Sequence, residues 1–179
     1  TNGSNQIMDL NFKRIQNDKL KILRDISIKT FIETFASQNK EENIKQYLDA
    51  KMSLANLKKE LNNMNSYFYF IIINNKIIGY TKLNFESAQT EEILIDKAFE
   101  VERIYLLSKH SRKGYGRKAF ENIFQIGRKK GYEKIWLGVW EYNKNAIEFY
   151  KHMGFKMFSK HSFLLGDDNQ TDLLLKIDI

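Results

Sequence analysis

The stretch HSRKGYGRK, residues 110–118, constrains the fold more than any other part of the chain. It packs five basic or imidazole side chains and two glycines into nine positions of a chain with 9 glycines and 0 prolines. Ahead of it, FEVERIYLL alternates as a strand does. Behind it, RKAFENIFQIGRKKG puts Ala119, Phe120, Ile123, Phe124 and Ile126 on one helical face. That helix stops at Gly131, with Arg128, Lys129 and Lys130 where the dipole favours cations. A strand that turns sharply into a helix predicts an α/β architecture. The turn itself presents free backbone N–H groups and the positive end of a helix dipole, so phosphate is its natural guest. Gly114 and Gly116 let the backbone approach an oxyanion, and Arg112, Lys113 and Arg117 add charge. The spacing is neither the P-loop nor the three-glycine dinucleotide fingerprint. Taken alone, the stretch also fits a glycine turn with solvated basic residues.

The rest of the chain supplies the partners such a unit needs. IMDLNFKRI reads as a short strand, and Asp18 to about Ala36 as a long helix, with Asn17 or Asp18 as its N-cap. EENIKQYLDAKM and LANLKKELNNM read as two shorter helices, the second opened by Ser53. SYFYFIII and KIIGYTKLNF form a hairpin around Asn74 and Asn75, which tolerate positive φ. After the glycine stretch and its helix come the strand KIWLGVW and the helix NKNAIEFYKHM, stopped by Gly154. A closing hairpin turns around GDDNQ. The order β-helices-βββ-α-β-α-ββ predicts one α/β domain on a mixed sheet over residues 7–179. Residues 1–6, TNGSNQ, are read as a flexible start or an expression remnant.

Composition narrows the chemistry. With 0 Cys, disulfides, thiolate zinc sites and a cysteinyl covalent intermediate are excluded. His110, His152 and His161 have no metal-ligand spacing, so no metal is expected. No apolar run approaches the ~18 residues of a membrane span, and the start lacks a signal-peptide pattern, which together predict a soluble, cytoplasmic protein. The net charge of +7 invites an anionic partner, but its distribution says more. Glu86, Glu91, Glu92, Asp96, Glu100 and Glu102 face Lys97 alone between Asn84 and Glu102, whereas Lys109 to Lys118 contains five bases and no acid.

Two segments carry a resemblance. VERIYLLSKHSRKGYGRKAF is similar to motif A of the GNAT N-acetyltransferase superfamily, whose loop reads Gln/Arg-x-x-Gly-x-Gly/Ala, and NKNAIEFYKHMGF resembles its motif B, Asn-x-x-Ala-x-x-x-Tyr before Gly-Phe. FIETFASQNKEENIKQYL, WLGVWEYNKNAIEFYKHMGF and HSFLLGDDNQTDLLLKI further resemble the PaiA-type polyamine acetyltransferases. The resemblance implies a GNAT fold, a mixed central sheet splayed between its fourth and fifth strands and flanked by helices. It implies acetyl-CoA as co-substrate and a cationic polyamine such as spermidine or spermine as acceptor. Pantetheine would pair with the backbone of Ile104, Tyr105 and Leu106. Pyrophosphate would rest on the N–H groups of Arg112, Lys113, Gly114, Tyr115, Gly116 and Arg117, and Asn143 would contact the cofactor. Ser111 stands where the family has Gln or Arg. Tyr150 would touch the cofactor as general acid at its sulfur, and Glu102 would act as base through a water.

A cationic acceptor also gives the acids a use. Glu33 and Glu141 are candidates for binding it, with Glu41, Glu42, Glu86 and Glu100 adding to the field and Trp140, Tyr142 and Phe31 flanking its aliphatic stretches. A peptide or another small amine is the rival acceptor. A nucleic-acid-binding regulator is the rival of another class, disfavoured because no aromatics interleave the bases in a reader motif. Monomer and homodimer both remain open.

Overall fold

The computed structural model describes residues 9–179, so Ile7 and Met8 of the expected first strand lie outside the described residues. The strands are β1 (Leu10–Arg14), β2 (Ser66–Ile73), β3 (Lys76–Asn84), β4 (Ala98–Leu106), β5 (Lys134–Trp140), β6 (Lys156–Leu165) and β7 (Asp168–Asp178). They form one sheet in the order β1-β2-β3-β4-β5-β7-β6. The helices are α1 (Leu20–Phe35), α2 (Glu41–Lys51), α3 (Leu54–Leu61), α4 (Tyr115–Lys129) and α5 (Lys144–Met153). Among the described residues no helix is long and apolar enough to cross a membrane.

Local signals account for most of these joints. Asn74 and Asn75 adopt φ of 50° and 61° in the β2–β3 turn, and Ser53 Oγ accepts the Asn56 N–H at 3.1 Å as the cap of α3. Two joints differ from expectation. Asn17 and Asp18 do not cap α1: they enter a 3₁₀ turn, Asn17–Lys19, and Asn17 Nδ2 donates to Asn62 Oδ1 instead. The closing hairpin is tighter than GDDNQ, because Gly166 at φ 65° lets Gly166 and Asp167 alone make the turn.

The sheet separates two layers, and alternation along β5 shows how. Ile135, Leu137 and Val139 join Phe120, Ile123 and Tyr150 in the core under α4 and α5. Trp140, on the opposite face, packs with Phe31, Phe35, Ile44 and Leu57 of the helical arm.

The feature that makes a site is the parting of β4 from β5. Their parallel pairing covers only Ala98 to Glu100 against Lys134 to Trp136. Beyond it β4 pairs with β3 and β5 pairs with β7, out to Leu106 and Trp140 respectively. Burial follows the parting: Ala98 to Val101 are buried, Glu102 to Leu106 only half-buried. A bulge lies at the fork. Lys82 pairs with Arg103 and Leu83 with Val101, which leaves Glu102 as the extra residue of β4. A bulge bends and twists its strand and re-aims its side chain. Glu102 and Arg103, neighbours that a regular strand would send to opposite faces, thus line one cavity.

Candidate active site

The glycine loop builds the first half of the site. Arg112 and Gly114 take left-handed φ of 61° and 79°, and the first helical bond of α4 runs from the Lys118 N–H to the Gly114 carbonyl at 3.4 Å. The N–H groups of Gly114, Tyr115, Gly116 and Arg117 therefore have no helical acceptor. A Cβ at Gly114 would meet nothing within 4 Å, so the space beside this first donor is open. Gly116 serves packing: a Cβ there would stand 3.1 Å from the Phe149 ring of α5. Together they border a cleft of about 410 Å³ lined by Ile104, Leu106, Arg112, Asn143, Ala146 and Tyr150, among others. Lys113 and Arg117 are exposed and do not line it. Ser111 is exposed at the border of the cleft, where its hydroxyl donates to the Ser108 carbonyl at 2.8 Å. Asn143 caps α5, its Oδ1 accepting the Ala146 N–H at 3.3 Å.

A narrow throat of about 80 Å³ continues from this cleft into the fork between β4 and β5. It shares Ile104, Asn143, Ala146 and Tyr150 with the cleft. On its other side it shares Phe35, Glu102, Tyr105, Gly138 and Trp140 with a second cavity, of about 410 Å³. Tyr150 thus stands at the junction. It is also core, edge-on to Phe120 and Phe155, and its hydroxyl makes no hydrogen bond with any described residue. Burial holds its phenol well above the ordinary tyrosine value, so it stays protonated at neutral pH.

The second cavity is walled on the β4 side by a buried ion cluster. Lys82 Nζ lies 2.6 Å from Glu60 Oε1 and 2.7 Å from Glu102 Oε1, and Arg103 Nη2 lies 2.7 Å from Glu60 Oε1 and 2.9 Å from Glu102 Oε2. Asn84 Nδ2 donates to Glu102 Oε1 as well, at 2.9 Å. Burial by itself would raise the Glu102 carboxyl, but Arg103, Lys82 and Asn84 outweigh it and hold the group down at about 2. Glu102 was expected as the base; a carboxylate so saturated has little affinity for a proton at neutral pH. Glu100, beneath it, is buried and occupied by Asn84 Nδ2 and by the N–H and hydroxyl of Thr90, and burial raises its carboxyl.

The remaining expected residues divide. Trp140 is buried and borders both the throat and the second cavity. Tyr105 turns its side chain into the second cavity and not into the cleft, so only its backbone is available to the first half of the site. Glu33 borders a further recess with Tyr142, which shares Leu106 and Asn143 with the cleft and Trp140 with the throat, and there its Oε2 accepts the Ser108 N–H at 2.9 Å. Glu141 lines none of these cavities, because Trp140, its neighbour in sequence, takes the inward position. Glu41 and Glu42 lie in a groove between α1 and α2, and Glu86 accepts from the Tyr132 hydroxyl. The sequence gives no role to Arg103, Tyr47 or Asp172, counts Glu91 only among the acids between Asn84 and Glu102, and offers no metal-ligand spacing for His161. Asp172, His161, Tyr47 and Arg103 line the second cavity, and His161 Nδ1 lies 3.0 Å from Glu91 Oε1. Strand register brings Asp172 and His161 together: Asp172 pairs with Trp140 of β5 and with His161 of β6.

Comparison with known proteins gives this geometry its family. The family model described as acetyltransferase (GNAT) family matches residues 22–155. An uncharacterised N-acetyltransferase of Lactobacillus delbrueckii subsp. lactis, encoded in the pepI 3′ region, is 40% identical over 151 residues, 84% of this chain and 87% of that protein. A spermidine N(1)-acetyltransferase of Thermoplasma acidophilum is 25% identical over 154 residues, 84% of this chain and 90% of that protein. Among solved structures, the PaiA N-acetyltransferase of Thermoplasma acidophilum in complex with coenzyme A superposes with a TM-score of 0.76 over 96% of this chain and 100% of that one. Its identity is 22%, so this likeness is one of fold. The splayed sheet, the two motifs in their order and the match over most of the length agree: the chain belongs to the acetyltransferase (GNAT) family and is an acetyl-CoA-dependent N-acetyltransferase.

Proposed function

We propose that the chain transfers acetyl from acetyl-CoA to a primary amine of a polyamine or similar oligoamine by direct attack in a ternary complex. The observation that carries this reading is the continuous path from cleft through throat to second cavity, with Tyr150 at its narrowest part. Acetyl-CoA supplies an activated acyl group. The open N–H groups of the glycine loop suit its pyrophosphate, and the β4 edge that β5 abandons suits the amides of its pantetheine arm. The cavity beyond the throat then takes the acceptor. Its aromatic walls, Phe31, Tyr47, Trp140 and Phe163, suit methylene segments, and its carboxylates suit ammonium groups. The curated spermidine acetyltransferase relative supports the same class of acceptor.

In this reading each residue has a defined task. Tyr150 donates a hydrogen bond to the developing thiolate, a role its raised pKa permits because the phenol never ionises near neutrality. Glu102 anchors the β4 wall through Lys82 and Arg103 and leaves proton acceptance to another group. The test is a panel of amines, including spermidine, spermine, diamines, lysine peptides and single amino acids, with free CoA release followed on the purified protein. Saturable release with oligoamines and little with peptides is expected. Release only with peptides, or with no amine at all, would overturn the acceptor assignment and leave the fold untouched.

A further inference from the structure

The cavity leaves one carboxylate without a partner. Glu102 is held by Lys82 and Arg103, and Glu91 lies against His161, but Asp172 makes no hydrogen bond or ion pair with any described residue. Asp172 occupies the centre of a row across three strands, with Trp140 of β5 on one side and His161 of β6 on the other. Directly paired residues share a face of the sheet, and this is the face that lines the second cavity. Gly138, two positions before Trp140, is on that face too. A Cβ at Gly138 would stand 3.3 Å from Asp172 Oδ2, and Gly138 borders both cavity and throat. Asp172 is therefore beside the passage that leads to Tyr150, on the wall opposite Glu102.

We propose that Asp172 is the group that receives the acceptor's ammonium and removes its proton. The inference rests on the amine-acetylation reading above. The N–H bond of the ammonium breaks, its electron pair stays on nitrogen, and the proton passes to an Asp172 oxygen. The nitrogen pair then bonds to the acetyl carbonyl carbon, and the C–S bond breaks with its electrons going to sulfur. The second proton lost by nitrogen ends on sulfur past Tyr150, and Asp172 returns its own to solvent. One ammonium thus becomes one amide, with one thiol formed and one proton released.

The surroundings suit that task. Burial lifts the Asp172 carboxyl from 3.8 to about 6, with His161 opposing and Glu91 adding to the rise. The group is ionised at neutral pH yet a far better proton acceptor than Glu102 at about 2. An alkylammonium sits at roughly 10, so passing its proton to Asp172 is uphill by about four powers of ten and passing it to Glu102 by about eight. Other titratable or charged groups share the space: His161 from β6, Glu91 behind it, Glu102, Arg103 and Tyr105 from β4, Tyr80 from β3, and Tyr47 and Lys51 from α2.

The experiment compares wild type, D172N, D172E and H161Q with spermidine as acceptor, following CoA release on either side of pH 6. In wild type kcat/KM for spermidine should rise through about pH 6 as Asp172 ionises. D172N should lose that limb and about 10²-fold in kcat/KM, with acetyl-CoA affinity by calorimetry unchanged. D172E should recover part of the rate, and H161Q should keep an ascending limb, which assigns the limb to the carboxylate. Melting separates function from structure. A carboxyl raised in the fold gives stability that is present below 3.8 and lost as pH rises through about 6. Asparagine cannot ionise, so D172N should melt no lower than wild type at neutral pH. An active wild type with D172N within twofold of it and the limb intact would remove Asp172 from the reaction. Loss of rate with a matching loss of melting temperature and of acetyl-CoA binding would make it structural, which also overturns the proposal. A wild type inactive toward every amine of the panel would instead fell the underlying reading, and the proposal with it.

Discussion

The donor cleft takes its hydrogen-bonding groups largely from backbone: the N–H groups from Gly114 to Arg117, left-handed turns at Arg112 and Gly114, and the β4 edge that β5 leaves after Glu100. The acceptor cavity is made of side chains, drawn from α1, α2 and five strands between Phe31 and Asp172. A backbone cradle can hold the same diphosphate whatever its side chains are, provided the glycines let it form. A cavity of side chains is specific to what it holds, and every member depends on register and packing elsewhere. The difference separates a common chemistry, which the loop supplies, from an individual preference, which the cavity supplies.

Substitutions on the two sides should therefore behave differently, most strongly at their junction. Tyr150→Phe should lower turnover by ~10²–10⁴-fold while leaving acetyl-CoA affinity by calorimetry near wild type. An equal loss of affinity would show that the donor side depends on this side chain after all. On the acceptor wall, Glu102→Gln should destabilise the fold by about 3 kcal/mol, read from denaturant melts, because it strands Lys82 and Arg103 with Glu60 alone. The sign with pH follows from the depressed carboxyl: its contribution is present above 4.5 and lost as pH falls through about 2. The melting advantage of wild type over Glu102→Gln should accordingly shrink in strong acid and not at neutral pH.

Smaller effects belong to the donor side. Gly114→Val imposes a left-handed φ on a β-branched residue, at a cost of ~1–2 kcal/mol, and places bulk over the cradle. It should weaken acetyl-CoA binding by about tenfold or more with the amine KM unchanged. Full affinity in that variant would remove the phosphate-cradle role. Smallest of all should be Ser111→Ala, within roughly 0.5 kcal/mol in binding, since the hydroxyl at the cleft border already spends its proton on the Ser108 carbonyl.

The same contrast decides what could be read from the sequence. Strand, glycine loop, α4 and the Asn143 to Tyr150 segment are local, and their glycines, caps and periodicity state the geometry directly. The turn at Asn74 and Asn75 and the Ser53 cap were legible for the same reason. The ion cluster was not. It depends on one extra residue in β4, which no periodicity announces because Glu102 and Arg103 look like ordinary alternating positions. Asp172 and His161 were hidden by the register of the closing hairpin, whose turn proved tighter than its polar residues suggest. Glu141 illustrates the converse: an acid beside an inward-facing Trp140 reads as part of the site until the strand shows which neighbour faces in.

Direct transfer is the central claim, and mass spectrometry of a single turnover tests it without reference to any variant. The protein is mixed with acetyl-CoA alone, then with spermidine, and protein and amine are weighed at each stage. The account predicts a protein of unchanged mass throughout and one acetyl group on the amine only after spermidine is added. An acetyl group on the protein that passes to the amine, or CoA released with no acetylated amine, would contradict it.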